Sequence, residues 1–456
     1  MDQLADIDAL SARLATSPRL RGREVVRLAP ADPPPVDLAA ELDEALARPI
    51  GTAPLRALAR GCRRVAIITS DATRATPSAA LIGPVMRELA HAGVTPDAVD
   101  VVIGVGAHRP ATADEIRVLL GADWAARLTV TNHDARSDDL VSLGSTTRGT
   151  PLLVNRHVAQ ADLRIAFGQV EPHEFAGFTG GRKAILPSVA GYESIVRNHA
   201  LSMLVVPTAR PGILEGNPIH EEMLEAARLA RLDFIVNVAL DRESRPIAVA
   251  AGDVERAHEE LVTFLRRTFG VTRPARPPAV IVTGVGEPLD VNLYQAVKAL
   301  VGIEPLLDDR PAGAPAPVVV LLARCWDGAG SDAMFECHQR IREQLAEVAA
   351  RGEPSADALS VAVLDCLPSR FTIEMDEAYF VARVTPKCSA VIAVCPGVPV
   401  DRLRLLGWET AADADAALAR ALELSDEIGR AGRAARDDEA AGLVAMCPRA
   451  QRALFV

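Results

Sequence analysis

The amino-acid sequence predicts an α/β fold with two domains, each a mostly parallel sheet covered by helices. Short runs of β-branched and other apolar residues alternate along the chain with longer segments rich in Ala, Leu, Arg and Glu, which is the order expected of βαβ units. A Pro-rich stretch, residues 272–278, divides this alternation into two series. Of the 456 residues, 49% are hydrophobic, so each series can bury a core of its own.

The first series contains four strand-like runs and two clear helical segments. The runs are apolar throughout and do not alternate with polar residues, as is typical of parallel strands buried on both faces. They cover residues 64–70, 99–105, 163–167 and 233–238, and the helical segments cover residues 77–92 and 219–231.

The second series repeats the pattern and ends in a helical segment. Strands are predicted over residues 279–283, 318–323, 359–364 and 390–394, with a loop over residues 306–317. After residue 411 the composition becomes rich in Ala, Arg and Asp, which favours helix. We therefore expect an N-terminal domain of residues 1–271, a C-terminal domain of residues 279–410 and a helical segment of residues 411–456 that packs back on them.

Charge and cysteine usage narrow the classes of function. The net charge of −11 argues against a nucleic-acid or anionic-membrane surface, because such surfaces need clustered basic residues. The first residues lack the basic and apolar regions of a signal peptide, and no apolar run is long enough to span a bilayer. Seven cysteines without CxxC spacing are typical of reduced thiols, not of a disulfide framework or a zinc site. We expect a cytoplasmic protein.

Lysine is almost absent: three lysines stand against 46 arginines. Both side chains are cations, but only the lysine amine readily loses its proton and forms a covalent bond. Lys183 and Lys298 lie in the two segments richest in reactive side chains, whereas Lys387 lies in an ordinary loop and is interpreted as a chance survivor of compositional bias. Because Arg182 already supplies charge beside Lys183, we expect this amine to act by covalent or close contact.

Two clusters of polar residues follow predicted strands, where open α/β sheets bind their ligands. The first follows residues 64–70 and consists of Asp71, Ala72, Thr73 and Arg74. With Pro77 it predicts a capped helix N-terminus that suits an anion, although a plain cap with a surface arginine is equally consistent with it. The second cluster presents His108 in a glycine-containing loop, as an acid or base near neutral pH or as a solvent-facing residue.

The third cluster, residues 171–199, is the most specific. His173 and Lys183 flank a glycine-rich loop, and His199 closes a predicted helix. Two histidines and a lysine held by glycines make a poor structural element and suit a cofactor cradle.

The fourth cluster lies in the second series on a predicted helix and consists of Tyr294, Gln295 and Lys298. Gln295 and Lys298 are three residues apart and therefore share one helix face. A solvated helix surface is the alternative, although the scarcity of lysine elsewhere argues against it.

With these clusters assembled, the chain resembles the nickel-dependent lactate racemase family over essentially its whole length. The motifs that carry the resemblance are DxTRxxP at residues 71–77, GxHRP at 106–110, EPHEFAGFTGGRK at 171–183, RNH at 197–199 and YQAVK at 294–298. No single motif is diagnostic, but five in order across both predicted domains are. The resemblance implies an isomerase, either a racemase or an epimerase of 2-hydroxy acids, with its active site in the cleft between the domains.

Members of this family use a nickel-pincer nucleotide, the nickel complex of pyridinium-3-thioamide-5-thiocarboxylate mononucleotide. The resemblance implies that the cofactor is attached to Lys183 through its thioamide and that His199 is the protein ligand to nickel. The residues implied to contact the nucleotide are Asp71, Ala72, Thr73 and Arg74. The implied partners are a small 2-hydroxy acid and the enzymes of cofactor biosynthesis, and a homo-oligomer is compatible with the sequence.

The remaining implied roles concern the substrate, whose C2 is inverted by reversible hydride transfer to the cofactor. His108 and His173 would act as paired acid/base groups, one for each enantiomer. The residues implied to contact the substrate are Arg74, Tyr294, Gln295 and Lys298. The family's substrate-side tryptophan has no counterpart here, because residues 371–379 carry Asp, Glu and Tyr instead. We therefore expect a substrate longer or more polar than lactate, including a sugar acid.

Two alternative functions remain open from the sequence. A nicotinamide-dependent oxidoreductase would use the GxGxxA segment of residues 328–333, but it leaves Lys183 and His199 without a role. A non-catalytic nucleotide- or cofactor-binding protein predicts the loss of an acid/base histidine, and both His108 and His173 are present.

Overall fold

Two parallel-stranded sheets organise the protein, each in its own unit. The computed structural model describes residues 4–311, 313–350, 375–432 and 442–456. The N-terminal unit comprises Asp32–Thr268, and the C-terminal unit comprises Met1–Ala31 together with Phe269–Val456. The predicted α/β class, with two mostly parallel sheets covered by helices, is confirmed.

The strands of both units are short, and most are buried. In chain order they are β1 (Val25–Arg27), β2 (Val65–Ser70), β3 (Val99–Gly104), β4 (Thr129–Asn132), β5 (Val141–Ser145), β6 (Pro151–Val154), β7 (Leu163–Gln169), β8 (Pro172–His173), β9 (Gly177–Phe178), β10 (Phe234–Leu240), β11 (Pro246–Gly252), β12 (Gly270–Val271), β13 (Val280–Gly284), β14 (Val318–Leu322), β15 (Ala390–Val394), β16 (Glu409–Thr410), β17 (Val444–Pro448) and β18 (Leu454–Phe455).

The helices fill the connections between strands. The α-helices are α1 (Ile7–Ala15), α2 (Leu38–Ala47), α3 (Leu55–Leu58), α4 (Ser78–His91), α5 (Ala113–Leu120), α6 (Ala122–Arg127), α7 (Arg156–Ala159), α8 (Tyr192–Asn198), α9 (Leu201–Leu204), α10 (Pro218–Leu229), α11 (Arg256–Thr268), α12 (Leu293–Ala296), α13 (Lys298–Asp308), α14 (Asp332–Ala350), α15 (Met375–Val384), α16 (Val400–Leu405) and α17 (Ala414–Gly432). Short 3₁₀ helices occur at Pro18–Leu20, Pro96–Ala98, Gly181–Ala184, Leu289–Val291, Thr385–Lys387 and Ala450–Arg452. In the described part of the chain, no helix combines the length and apolar character needed to cross a membrane.

The sheet of the N-terminal unit has the strand order β11-β10-β7-β2-β3-β4. The pair β10–β11 is antiparallel and all other neighbours are parallel. The four strands predicted in this half are confirmed as β2, β3, β7 and β10. The chain winds from β2 outward to β3 and β4 and then returns to the other side of β2 with β7, so the winding reverses between β2 and β7.

Periodic apolar residues attach the helices to this sheet. In α4, Leu81, Val85 and Leu89 recur at intervals of four residues and are fully buried. They share one hydrophobic core with strand residues such as Ile67 and Val101. This spacing puts the three side chains on one helix face, so the sequence pattern determines which face of α4 packs on the sheet.

The sheet of the C-terminal unit has the order β1-β17-β13-β14-β15-β16, and all neighbours are parallel. The predicted strands at residues 279–283, 318–323 and 390–394 are confirmed as β13, β14 and β15. The predicted strand at residues 359–364 lies outside the described residues. Strands β13, β14 and β17 are buried at every position, as expected for a parallel sheet with both faces covered.

The structure corrects the predicted domain boundaries at both ends of the chain. Residues 1–31 belong to the C-terminal unit, because β1 pairs with β17 and Ile7, Leu10 and Leu14 of α1 enter the core of that unit. The segment of residues 411–456 is not only helical, since β17 lies between β1 and β13 in the sheet. The pairing of β1 with β17 joins residues near the two ends of the chain, so no local pattern in the sequence indicates it.

Candidate active site

Three of the predicted clusters meet at the carboxyl edge of the N-terminal sheet. Strands β7, β2 and β3 are parallel neighbours, so the residues that follow them emerge at the same edge. Asp71 follows β2, His108 lies beyond β3 and Glu171 follows β7. The winding reverses between β2 and β7, and such a reversal opens the crevice in which α/β sheets bind ligands. The place of these clusters in the fold therefore suits a ligand site.

Asp71 orients the imidazole of His108. Its carboxylate lies 2.8 Å from Nδ1 of His108 and accepts a 2.5 Å hydrogen bond from the hydroxyl of Thr73. Burial alone raises the pKa of Asp71, but the hydrogen bonds of His108 and Thr73 and the charges of His108 and Arg74 outweigh it and lower the pKa below its ordinary value. Because Nδ1 of His108 faces the carboxylate, Nε2 is the nitrogen that can exchange a proton with a ligand.

The lowered pKa of Asp71 predicts a pH-dependent contribution to stability. A carboxyl group with a depressed folded-state pKa stabilises the fold above its unfolded pKa of about 3.9, and this stabilisation is lost as the pH falls through the folded value. We therefore expect the difference in free energy of unfolding between the wild type and Asp71→Asn to shrink as the pH falls below about 4. Urea unfolding across this range measures it. The exposed Asp138, changed to Asn, is the control, and a difference that grows towards acid pH would contradict the assignment.

The turn after β2 differs from the predicted helix cap. Helix α4 begins at Ser78, and Pro77 at its N-cap position makes no side-chain capping bond. The Arg74 N–H instead donates to the carbonyl oxygen of Asp71 at 3.2 Å and closes a separate turn. Arg74 then forms an ion pair with Glu171 at 3.6 Å, which links the loops after β2 and β7. The turn is therefore part of the candidate site and not of α4.

The glycine-rich loop places Lys183 through backbone contacts that larger residues do not permit. Gly177 has a φ of +77°, and a Cβ there would lie 2.2 Å from the carbonyl oxygen of Ile213. Gly181 has a φ of +53°, and a Cβ there would lie 3.1 Å from the ring of His258. Gly177 therefore requires glycine, and the positive φ of Gly181 strains any larger residue there. The short 3₁₀ helix Gly181–Ala184, which begins at the second of these glycines, carries Lys183.

Arg182 is a buried structural cation and not part of the ligand surface. Its guanidinium donates to the carbonyl oxygen of Ala176 at 2.8 Å and lies 2.9 Å from Nε2 of His258. Burial lowers the pKa of Arg182 to about 9. These contacts fasten the glycine-rich loop to α11, so the neighbouring Lys183 is the cation that meets the histidines of the site.

Lys183 lies in a buried cluster with both histidines of the 171–199 segment. Its Nζ is 3.0 Å from Nε2 of His173 and 5.6 Å from the centre of the Phe175 ring. The Phe175 ring contacts His173 and His199 edge to face, with centroid distances of 4.6 and 5.1 Å. Nδ1 of His173 lies 3.3 Å from the carboxylate of Glu174. The structure thus assembles the side chains predicted as tether, acid/base group and metal ligand around one aromatic ring.

His199 uses one ring nitrogen for the protein and has the other for a ligand. Nδ1 lies 3.0 Å from the carbonyl oxygen of Ile195 in α8, so Nδ1 carries the proton and Nε2 the lone pair. Burial, followed by the positive charge of Lys183, lowers the pKa of His199 to about 3. A neutral imidazole with a fixed tautomer is the form that binds metals. Within the described ranges, no group of three or more His, Cys, Asp or Glu side chains is placed to hold a metal ion.

A buried network supports the helix that carries His199. The carboxylate of Glu222, in α10, accepts a 2.9 Å hydrogen bond from the amide of Asn198 and a 2.8 Å bond from the hydroxyl of Thr146. Glu222 and Asn198 are almost completely buried. Since Asn198 directly precedes His199, the network fixes the end of α8 from which the imidazole projects.

Replacing Glu222 by Ala is expected to lower the free energy of unfolding by about 2–4 kcal/mol, because it opens a cavity and leaves two buried donors without acceptors. Urea unfolding monitored by circular dichroism measures the change. The adjacent Glu221 forms only a surface ion pair with Arg148, so Glu221→Ala should cost less than about 1 kcal/mol. If both variants lowered the free energy of unfolding equally, the buried hydrogen bonds of Glu222 would not contribute more to stability than a surface ion pair.

Tyr294, Gln295 and Lys298 belong to the C-terminal unit. The helix predicted for them is interrupted at Val297, between α12 and α13. The Tyr294 hydroxyl donates to the carboxylate of Asp376 at 3.2 Å, and Lys298 is buried. The alternative of a solvated helix surface is therefore wrong for Lys298. Of the region predicted to select the substrate, residues 371–374 lie outside the described residues, and residues 375–379 lie on α15.

Lys387 has a structural role, which corrects its interpretation as a chance survivor. Its Nζ lies 2.7 Å from the carboxylate of Glu304 and 2.5 Å from that of Asp308. Glu304 also forms a bidentate ion pair with Arg383, at 2.8 and 2.7 Å. This ion-pair cluster ties α13 to α15.

The GxGxxA segment of residues 328–333 packs on its own chain. The N–H groups of Leu293 and Tyr294 donate to the carbonyl oxygens of Gly328 and Ala329, at 3.0 and 3.1 Å. A Cβ at residue 330 would lie 2.6 Å from the side chain of Asn292. Close packing against Asn292 therefore explains the glycine at this position without a bound dinucleotide. This weakens the alternative of a nicotinamide-dependent oxidoreductase.

Four acidic or aromatic residues of the site were not identified from the sequence, namely Glu171, Glu174, Phe175 and Glu222. The first three lie inside the EPHEFAGFTGGRK motif, so their place beside His173 was a usable signal. Glu222 carries no comparable signal, because its contacts with Thr146 and Asn198 are purely tertiary.

Two family models and two relatives match this chain. Residues 19–212 match the family model of the lactate racemase N-terminal domain, and residues 274–430 match that of the lactate racemase C-terminal domain. The lactate racemase of Thermoanaerobacterium thermosaccharolyticum is 36% identical over 301 residues, 66% of this chain and 68% of that protein. The lactate racemase of Lactiplantibacillus plantarum is 34% identical over 336 residues, 73% of this chain and 76% of that protein.

Two solved structures have the same fold as this chain. The lactate racemase apoprotein from Thermoanaerobacterium thermosaccharolyticum superposes with a TM-score of 0.80 at 28% identity, over 96% of each chain. A Thermotoga maritima protein shares the fold, with a TM-score of 0.62 at 16% identity over 93% of this chain and 99% of that one. Both family models, two relatives above 30% identity and the superposition confirm the resemblance found from the motifs: the chain belongs to the lactate racemase family.

Proposed function

We propose that this protein inverts C2 of a 2-hydroxy acid, using a nickel-pincer nucleotide attached to Lys183 and the imidazoles of His108 and His173. Family membership supports the coarser statement that the protein is an isomerase acting on a hydroxy acid. The observation that carries the finer proposal is the buried cluster of Lys183, His173 and His199 in a chain of this family.

The residues present fit a covalently tethered nickel cofactor. Lys183 supplies a buried amine beside an imidazole, and His199 supplies a neutral Nε2 of the type that nickel accepts. The turn at Asp71–Arg74 places a guanidinium and backbone groups at the same sheet edge, where a nucleotide would bind. When bound in this way, such a cofactor would supply a reversible hydride acceptor for C2 of the substrate.

The protein's own part in the reaction is proton transfer and orientation. Each proposed acid/base histidine has a carboxylate at Nδ1, at 2.8 Å for Asp71–His108 and at 3.3 Å for Glu174–His173. Nε2 is therefore the nitrogen proposed to take the proton of the substrate hydroxyl, and the carboxylate stabilises the imidazolium that results. In His173 this nitrogen lies 3.0 Å from the Lys183 amine, so the proposal requires that Lys183 already carries the cofactor. Inversion requires such a group for each enantiomer, and two histidine–carboxylate pairs provide it. A non-catalytic binding protein would have no use for two pairs.

Arg74 is proposed to bind the carboxylate of the substrate. Further contacts with the substrate are proposed for Tyr294, Gln295 and Lys298. Arg74 is only partly exposed and shares its charge with Glu171, so a substrate carboxylate would compete with that ion pair. The acidic and aromatic residues of the 371–379 region support a substrate that is larger or more polar than lactate.

The experiment that tests the proposal begins with protein co-expressed with the cofactor-biosynthesis enzymes. Intact mass, peptide mapping and nickel analysis should show a nucleotide-sized adduct on the Lys183 peptide and about one nickel per chain, as one histidine ligand implies. A chiral assay over 2-hydroxy acids, from lactate to sugar acids, then identifies the substrate. An unmodified Lys183 and no nickel, under conditions in which a lactate racemase becomes loaded, would overturn the proposal.

A further inference from the structure

A buried relay of three side chains, Lys183, His173 and Glu174, connects an amine to a carboxylate through an imidazole. The distances are 3.0 Å from Lys183 Nζ to His173 Nε2 and 3.3 Å from His173 Nδ1 to the Glu174 carboxylate. All three side chains are largely buried, with 9% of Lys183, 5% of His173 and 11% of the Glu174 side chain exposed. A nucleophile, a base within hydrogen-bond reach and a third group that orients the base are the parts of an activated nucleophile.

The tautomer of His173 decides the direction in which the relay works. Nδ1 is approached by the Glu174 carboxylate at 3.3 Å and by the N–H of Ala176, whose nitrogen lies at 3.4 Å. The Lys183 ammonium has only donors, so its contact with Nε2 at 3.0 Å makes Nε2 the acceptor and leaves the ring proton on Nδ1, where the nearby Glu174 carboxylate stabilises it electrostatically. Nε2 then presents its lone pair to the amine of Lys183 and can accept a proton from it.

We propose that His173 is also the general base that attaches the cofactor to Lys183, so that the protein catalyses its own modification. This inference rests on the proposed function, because it assumes that Lys183 carries the cofactor. The co-substrate is a pyridinium mononucleotide with a thiocarboxylic acid group. The amine nitrogen attacks the thiocarboxyl carbon, a C–N bond forms and the C–O bond breaks. His173 takes a proton from the attacking amine and passes it to the departing oxygen, which leaves as water, and the sulfur stays in the thioamide.

The two roles of His173 follow one another without conflict. Before attachment, Nε2 of His173 is engaged by the Lys183 amine. A thioamide nitrogen is not basic and carries no positive charge, so after attachment it no longer exchanges a proton with Nε2. The same nitrogen then becomes the acid/base group for the substrate. Glu174 acts through His173 in both steps and is a positioning residue.

The test follows the mass of the full-length apoprotein during incubation with pyridinium-3,5-bisthiocarboxylate mononucleotide. The rate of adduct formation on Lys183 is measured at several nucleotide concentrations. We expect His173→Asn to slow the maximal rate by about 100-fold or more, the usual contribution of a general base. Glu174→Gln is expected to slow it by about 10-fold with an unchanged half-saturation concentration, because a mispositioned base affects the step and not the binding. Circular dichroism verifies folding, and His173→Gln replaces His173→Asn if the latter is unfolded.

A histidine outside the proposed site serves as the matched control. His157→Asn, in an exposed pair with Asp100, should leave both adduct formation and racemisation at their wild-type rates. An adduct that forms equally fast in His173→Asn and in the wild type overturns the inference and leaves the proposed function standing. A wild type that forms no adduct in this incubation, but carries one on Lys183 after co-expression with the cofactor-biosynthesis enzymes, overturns the inference alone. A Lys183 that stays unmodified under both conditions overturns both.

Discussion

Replacing Lys183 by Arg is expected to abolish covalent attachment of the cofactor and to reduce racemisation at least about 1,000-fold, as loss of an essential covalent group does. Arginine keeps the positive charge of the buried cluster, but its guanidinium stays protonated and does not form the amide-like bond. The variant therefore separates the chemistry of the amine from its charge. Intact mass and a chiral assay on protein produced with the cofactor-biosynthesis enzymes measure the two effects.

The matched control for this variant is Lys387→Arg. Lys387 is also one of the three lysines, but it binds carboxylates in the Glu304 and Asp308 ion-pair cluster, where arginine serves as well. We expect it to keep full loading and activity. If Lys183→Arg carried the adduct, the tether would have to be assigned to another residue. If it lacked the adduct but kept wild-type activity, covalent attachment would be irrelevant to turnover.

Removal of either acid/base histidine is expected to have the second largest effect. His108→Asn and His173→Asn should each lower racemisation by about 10²–10⁴-fold, the range that general acid–base catalysis contributes. Each variant lacks the group that serves one enantiomer, so oxidation of the substrate to the planar 2-keto acid should persist from one enantiomer only. The two variants should differ in which enantiomer that is.

Enantiomerically pure substrates, supplied separately to loaded enzyme, measure this asymmetry. His157→Asn is again the control, because its exposed ring pairs only with Asp100 at 3.1 Å. Equal residual turnover of both enantiomers in both variants would contradict the assignment of one histidine to each. Unchanged rates in both variants would remove the histidines from the mechanism.

Local pattern was sufficient to predict most of the scaffold. Continuous apolar runs predict β2, β3, β7, β10, β13, β14 and β15, because a buried parallel strand must be apolar on both faces whatever its neighbours are. The carboxyl ends of parallel strands lie at one edge, so the same pattern also brings Asp71, His108 and Glu171 to one edge. Five strands of the two sheets were not predicted, namely β1, β4, β11, β16 and β17. Of these, β1 is three residues long and pairs with β17 more than 400 residues away. Such a pairing depends on long-range packing and has no local signature.

Residue type and motif order were sufficient to single out the candidate reactive groups. The sequence alone determined that Lys183 is one of three lysines, that His173 and His199 accompany it and that five motifs follow the order of the lactate racemase family. Side-chain chemistry is a property of the residue itself, so an amine or an imidazole can be recognised before its surroundings are known.

Only the tertiary structure decided what each reactive group contacts. His108 contacts Asp71, and His173 contacts Glu174 and Lys183. Burial and the charge of Lys183 lower the pKa of His199, so its imidazole is neutral. Glu222 supports α8 through its hydrogen bond with Asn198. Hydrogen-bond partners, tautomers and pKa values depend on distance and burial, which arise when segments far apart in the chain pack together. For this reason the sequence indicates the candidate residues of the site, and only the fold shows what each of them contacts.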